Sequence, residues 1–280
     1  MNKENYFISK IASNKFIGDD GAVILKDLKK NEKYVYSMDA FFENVHFKRE
    51  WLTLEQIAKK SMLVNISDAI VMNAIPKYAL LSIAIPSDFT TEDLDQLAKG
   101  FKKIAKKFGI TIIGGDTISN VKLDISITII SITKNPIFRS GTKKDDLICH
   151  TGDLGSCKHD LEVLLNGGSI NKKSKFIRPK LNNEFFYKVS KYINSALDIS
   201  DGLFFELERL SKVNNIGFEF FQEIQKNIGC SGEEYEILFT FDPKHRNKIQ
   251  KIAYEYGVVL NIFAKATDGI FECDCKDHHF

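Results

Sequence analysis

Arginine is scarce in this 280-residue chain. Of 39 basic side chains only five are Arg (Arg49, Arg139, Arg178, Arg209 and Arg246), and the rest are lysine. Arg supplies a planar fork for carboxylate or phosphate, so each of the five is a candidate for such a contact. An excess of one charge is also missing. The 39 basic residues face 37 acidic ones, a formal net charge of +2, which leaves no global field to steer nucleic acid or a membrane surface. No apolar run approaches the 18 residues of a membrane span, and Met1–Asn5 lack the apolar stretch of a secretory signal. A soluble, cytoplasmic protein with no nucleic-acid or membrane partner is expected. The five cysteines (Cys149, Cys157, Cys230, Cys273 and Cys275) are odd in number and widely spread, the usage of reduced thiols. Repeats, low-complexity tracts and long linkers are absent, and Trp51 is the only tryptophan.

What is present is apolar material. Hydrophobic residues make up 44% of the chain, with 22 Phe and 9 Tyr, enough for a real core and incompatible with a disordered or fibrous chain. Val35–Met38 reads as a short strand. Apolar residues recur at helical spacing from Leu54 to Asn73. Tyr78–Ile85 reads as a strand ending at Pro86, and a helix capped by Thr90 or Thr91 runs to Lys107, with Gly109 at its end. Thr111–Ile113 is a strand stopped by Gly114-Gly115, and Val121–Thr133 alternates as a half-exposed strand does. Asn135-Pro136 marks a turn. Beyond it, strands are expected at Leu147–His150, Ile237–Phe241 and Val258–Ala264. Helices are expected at 156–166, 183–194, 202–212 and after Pro243. The economical fold is α/β (α+β) in two domains, 1–135 and 136–280, each a mixed sheet covered by helices.

Several aspartates occupy positions where a solvated charge is not expected. Asp20 precedes the apolar run Ala22–Leu25, Asp39 follows the strand Val35–Met38, and Asp68 interrupts an apolar helix. Asp116 follows Gly114-Gly115, while Asp198 and Asp201 bracket Ile199-Ser200. Each alone has a structural use: Asp20 or Asp116 in a turn, Asp201 as a helix cap, Asp68 as a buried hydrogen-bonded acid. Together they are costly to bury unless paired or bound to metal, and converging carboxylates raise one another's pKa values. No Arg adjoins them in sequence. Mg²⁺, which takes oxygen ligands and is held by carboxylates together with substrate phosphates, removes both problems. The glycine-rich phosphate loops and the kinase His-Arg-Asp signature are absent, so bridging metals would replace a backbone cradle.

The ordered set of segments resembles bacterial thiamine-monophosphate kinase, of the superfamily shared with aminoimidazole ribonucleotide synthetase. The matching segments are Gly18–Val23, Ser37–Ala40, Asn44–Phe47, Val64–Asp68, Gly114–Thr117, Arg139–Gly141, Thr151–Gly155, Arg178-Pro179, Asp198–Leu203, Ser231–Glu236 and His279-Phe280. The resemblance implies ATP-dependent phosphorylation of thiamine monophosphate to thiamine diphosphate in an aminoimidazole ribonucleotide synthetase-like fold. It implies a homodimer whose N-terminal halves pair their sheets near the site. It assigns several Mg²⁺ ions to Asp20, Ser37, Met38, Asp39, Asp68, Asp116, Asp198 and Asp201. It also assigns ATP to Gly115, Asp116, Arg139 and Ser200, and thiamine phosphate to His46 and Glu233. The acceptor is a phosphate already largely dianionic at neutral pH, so no catalytic base beyond metal-assisted, in-line transfer is required.

Departures from the family pattern are Met38 for Thr, Asn73 for Gly, Ser156 for Asp, and Cys230-Ser231-Gly232 for Ser-Gly-Gly. The family's aromatic near the C-terminus, which stacks on the pyrimidine, has no evident counterpart. An aminoimidazole ribonucleotide synthetase-like enzyme is the nearest alternative. A metal-binding scaffold is a more distant one, because Cys273, Cys275, His278 and His279 are ligands suited to Zn²⁺.

Overall fold

The computed structural model describes Asp19, residues 22–27 and residues 31–275. Asp20 and the His278–Phe280 tail therefore lie outside the described residues. The first sheet has the order β1-β2-β5-β3-β4, formed by β1 (Ala22–Asp27), β2 (Glu32–Phe42), β3 (Ile75–Pro86), β4 (Thr111–Asn120) and β5 (Asp124–Thr133). Only the β3–β4 pair is parallel. The second sheet has the order β7-β9-β6-β10-β8 and is antiparallel throughout. It comprises β6 (Leu147–Thr151), β7 (Ile193–Asp198), β8 (Gly217–Phe220), β9 (Ile237–Phe241) and β10 (Leu260–Thr267).

The long helix α1 (Leu54–Val71) starts at a capping box in which Thr53 Oγ1 accepts from the Gln56 backbone and Gln56 Oε1 from that of Thr53. It ends at Asn73, whose φ of 54° is one that Asn tolerates. The Asn73 amide also donates to the Asn135 carbonyl at 2.8 Å. Helix α2 (Thr91–Phe108) carries a second capping box at Thr90/Asp93 and a left-handed C-cap at Gly109. It crosses α1 at Gly100, where a Cβ would stand 2.6 Å from Ala58 Cβ.

Three expectations need correction. Strand β4 does not stop at Gly114-Gly115 but continues to Asn120 beside β3. Gly115, at φ 149°, permits this, because a Cβ there would overlap the Leu81 carbonyl. The helix expected over 156–166 forms as α3 (Ser156–Leu165), but the one expected over 183–194 ends at Val189 (α4, Asn183–Val189), and after a 3₁₀ turn the chain becomes β7. The buried hydroxyls of Ser195, Thr142 and Thr240 bond to one another there, satisfying polar groups that an apolar strand would not carry. Not every thiol is reduced: Cys149, Cys157 and Cys273 are free, whereas Cys230 and Cys275 form a disulfide. Strand β8, where Phe218 and Phe220 alternate with Gly217 and Glu219, was not foreseen at all.

One continuous core joins the halves. Ile57, Met62 and Ile66 of α1 and Ile125, Ile127 and Ile129 of β5 belong to the same cluster as Phe185, Phe186, Phe239 and Phe241. Each such side chain contributes about 1.5–3 kcal/mol of burial. A second cluster sets Leu203, Leu207 and Leu210 of α5 (Leu203–Asn214) against Ile148, Leu238 and Phe263. No helix among the described residues is long and apolar enough to cross a membrane.

Candidate active site

A cavity of about 280 Å³ opens where the two halves meet, bounded by His46, Trp51, Phe176, Ser200, Asp201 and Glu233. The turn after β2 supplies His46. Its Nδ1 accepts from the Phe42 backbone at 3.0 Å, so the neutral ring carries its proton on Nε2. The segment 199–201 and the loop 231–236 are clipped together through backbone bonds. Glu233 N donates to Ser200 O at 2.6 Å, Tyr235 N to Ile199 O at 2.8 Å, and Ile199 N to Glu236 O at 2.9 Å. Two motifs far apart in sequence thus form one wall.

Glu233 is held on both oxygens. Tyr235 Oη donates to Oε1 at 3.1 Å, and Lys60 Nζ lies 2.6 Å from Oε2. Lys60 is 0% exposed and sits 3.9 Å from the centre of the Phe176 ring, a cation–π contact that offsets part of the cost of burying the charge. Glu233 and Tyr235 both adopt positive φ, 62° and 50°, a strained backbone that the surrounding bonds hold in place. Burial pushes the Tyr235 hydroxyl far above its ordinary value, and the carboxylates of Glu233, Asp39 and Asp198 push in the same direction. Tyr235 therefore remains a donor.

Beneath this wall, Glu234 is fully buried. It accepts from Gly155 N at 2.7 Å and from Ser231 Oγ at 2.7 Å. Lys175 Nζ lies 2.7 Å from Glu234 and 3.3 Å from Glu236. The acidic run 233–236 therefore divides its work: Glu233 faces the cavity, while Glu234 and Glu236 anchor the loop.

The remaining acids assemble only in part. Asp39 is half-buried, and its backbone N–H donates to the buried Asn65 Oδ1 at 2.8 Å. Asp68 is the half-exposed position in an otherwise buried stretch of α1, and Asp198 is 4% exposed. Asp201, at the start of α5, is ion-paired to Arg209 at 2.5 Å, and Arg209 also grips Glu206 at 2.7 Å. No Arg adjoins these acids in sequence, but the helix brings Arg209 back over Asp201. Burial raises the Glu206 carboxyl above its ordinary value, while Arg209 and, more weakly, Arg139 pull it down. The Arg139 backbone N–H donates to Asp19 Oδ1 at 2.7 Å, and its carbonyl accepts from the Asn214 amide at 2.9 Å.

Asp116 stands apart on exposed β4. It pairs with Ser82, in the row of Ser126 and Ala40, one row from Asp39. With three strand spacings between β2 and β4, the two backbones are roughly 14 Å apart. Among the described residues, no three His, Cys, Asp or Glu side chains converge into a ready-made metal site. The donors nevertheless suit Mg²⁺, being all oxygen, and the buried Ser37 Oγ lacks a hydrogen-bond partner. The Met38 thioether is a soft ligand, so only its backbone carbonyl could serve a hard cation. Gly115 has a structural reason to be glycine, independent of nucleotide.

Sequence reasoning missed Lys60, Tyr235 and Phe176, and it singled out Arg209 as a candidate for a carboxylate or phosphate without naming its partners. Lys60 carried a readable signal, since it shares a helical face with Ile57 and Val64.

Residues 18–133 match the family model described as AIR synthase related protein, N-terminal domain. A thiamine-monophosphate kinase of Nitrosopumilus maritimus is 30% identical over 248 residues, covering 81% of this chain and 80% of that protein. One of Buchnera aphidicola is 32% identical over 266 residues, covering 84% and 79%. Among solved structures, AaThiL complexed with AMPPCP and TMP superposes with a TM-score of 0.87 at 23% identity, covering 99% of this chain and 96% of that one. The two-sheet architecture is therefore the aminoimidazole ribonucleotide synthetase-like fold, and the chain belongs to the thiamine-monophosphate kinase family.

Proposed function

We propose that this chain transfers the γ-phosphoryl group of ATP directly to thiamine monophosphate, giving ADP and thiamine diphosphate. The observation that carries the reading is the cavity at which His46, Ser200 and Glu233, from three motif segments, meet. The His46 Nε2–H is a donor for the acceptor phosphate, and Glu233, with Lys60 Nζ 2.6 Å from its Oε2, faces the cationic ring system of the substrate. A phosphate oxygen of thiamine monophosphate attacks the γ-phosphorus in line, and the bond to the β,γ-bridging oxygen breaks as ADP leaves. The acceptor is already anionic, so positioning is the main task of the side chains. Arg139 and Ser200 would hold the nucleotide, with Gly115 and Asp116 beside it.

Mg²⁺ would be held by Asp20, Ser37, the Met38 carbonyl, Asp39, Asp68, Asp198 and Asp201, together with Asp116. When bound it supplies charge neutralisation between two polyanions. Residues 1–135 form the metal, ATP and dimerisation half, and residues 136–280 the second α/β half. The open apolar face of the first sheet supports a homodimer, in which Asp116 of one copy serves the site of the other. The protein acts in the cytoplasm without nucleic-acid or membrane partners.

The test is an ATP-consumption assay with thiamine monophosphate, thiamine and aminoimidazole precursors side by side. Turnover with thiamine monophosphate alone is expected. Turnover confined to another substrate would overturn the function while leaving the fold untouched.

A further inference from the structure

The Cys230–Cys275 bond ties the C-terminal segment to the cavity wall. Cys230 lines the cavity and lies three residues before Glu233. Cys275 follows Phe271, whose ring packs against Phe204, Phe218 and Phe220. Past Phe271 the noncovalent holds thin out. Cys273 N reaches Glu208 Oε1 at 3.4 Å, and Lys226 pairs with Asp274 at 2.6 Å with both side chains largely exposed, a kind of ion pair that contributes little. The Cα atoms of Cys230 and Cys275 are 5.7 Å apart, a separation at which a disulfide forms without backbone movement.

The other thiols do not compete. Burial alone pushes Cys149 far above the usual thiol range, and burial followed by the Glu234 carboxylate raises Cys157. The Cys273 sulfur accepts from the Cys275 backbone N–H at 3.3 Å, which leaves that cysteine beside the bond but outside it. Cys275 in the disulfide is also withdrawn from any Zn²⁺ set formed with Cys273 and the terminal histidines.

We propose that Cys230–Cys275 is a redox-sensitive cross-link that fixes the C-terminal segment against the substrate cavity and holds the Glu233 loop in its strained form. The bond forms by exchange with a small-molecule disulfide. The thiolate of half-buried Cys275 attacks one sulfur of that disulfide and expels its partner as a thiol, leaving a mixed disulfide on the protein. The Cys230 thiolate then displaces the second small thiol. Two protein thiols are oxidised, one small disulfide is reduced to two thiols, and the two protons pass to the released sulfurs. Disulfides of proteins in reducing compartments are commonly of this sensing kind. The functional consequence rests on the kinase reading, whereas the bond itself does not.

The full chain is equilibrated with oxidised glutathione or with dithiothreitol and then compared by non-reducing peptide mapping, amide exchange over residues 271–275, and kinetics. The oxidised protein should yield a Cys230–Cys275 cross-linked peptide and a protected tail. Reduction should abolish both and raise the KM for thiamine monophosphate about fivefold, the effect of losing pre-organisation of one wall. Cys275→Ser should resemble the reduced protein in either buffer. Absence of the cross-linked peptide in oxidised glutathione, or a cross-link whose reduction leaves KM unchanged, would overturn the proposal. Failure of the kinase reading is distinguishable: turnover would then be missing in both states while the cross-link and tail protection persist.

Discussion

The two sheets have the same number of strands and opposite degrees of completion. In the second, every residue of β6 and β9 is buried, because Leu238 faces the α5 cluster while Phe239 and Phe241 face the cluster of α4. Covered on both sides, these strands read as near-continuous apolar runs. In the first sheet, α1 and α2 cover one face, and β5 accordingly alternates buried and half-buried. Its other face and its β4 edge expose Met38, Leu80, Ile113 and Ile118 at 63%, 39%, 52% and 57%. An open apolar edge of this kind is a pairing surface. The half that exposes it also carries Asp116, which among the described residues lies three strand spacings from Asp39. One half is closed within a single chain; the other leaves an apolar face and edge open among the described residues.

The largest expected effect falls on the acids where the halves meet. Asp39→Asn should lower kcat by at least about a thousandfold with an unchanged circular dichroism spectrum, and near-normal activity in the folded variant would refute a metal role. Next comes the buried link between halves. Lys60→Met leaves Glu233 without its cation and should cost about 1–3 kcal/mol of stability, read by denaturant unfolding. It should also raise the KM for thiamine monophosphate about tenfold with less change in kcat. Lys60→Arg should recover part of the binding, and equal losses in kcat and KM for both variants would argue for a general packing defect.

The open edge gives a smaller effect on the fold. Ile113→Lys should shift the protein to monomer in sedimentation velocity without unfolding it, whereas the same change in buried β9, Phe239→Lys, should prevent folding. A dimer that survives Ile113→Lys would place the interface elsewhere.

The smallest effect is in the finished half. Burial depresses the His150 pKa below its ordinary 6.5, and nearby Lys175 also lowers it, against the Thr151 carbonyl, Asp153 and Glu234. A depressed folded value means that its contribution to stability is present above the unfolded pKa and lost as pH falls through the folded one. Thermal melts should therefore drop on acidification below about pH 6.5, and His150→Gln should flatten that part of the curve.

Much of this contrast was legible in residue patterns. The helical period read from Leu54 to Asn73, the caps at Thr90 and Gly109, and the alternation of β5 all follow local rules that the fold respects. What escaped depends on long-range partners. Nothing local distinguishes Ser190–Asp198 as a turn followed by a strand, since the pairing of β7 with β9 decides it. The site divides in the same way. His46, Ser200, Asp201 and Glu233 were found through motifs and meet at one cavity. Lys60 was passed over because a lysine in Ala58-Lys59-Lys60-Ser61 reads as solvated until the opposite half supplies Glu233. The pairing of Arg209 was hidden by its eight-residue distance from Asp201, which the first turns of α5 cancel.

The proposal that two copies share a site is tested most directly by mixing the two substituted proteins, each expected to be inactive alone. Asp39→Asn and Asp116→Asn chains, separately tagged, are unfolded together and refolded so that mixed dimers form. If Asp116 serves the partner's cleft, each mixed dimer has one site with both substitutions and one with neither, and about a quarter of the wild-type turnover should return at equal mixing. Mixed dimers recovered through both tags but without activity would contradict it, and Asp116 would then act within its own chain or not at all.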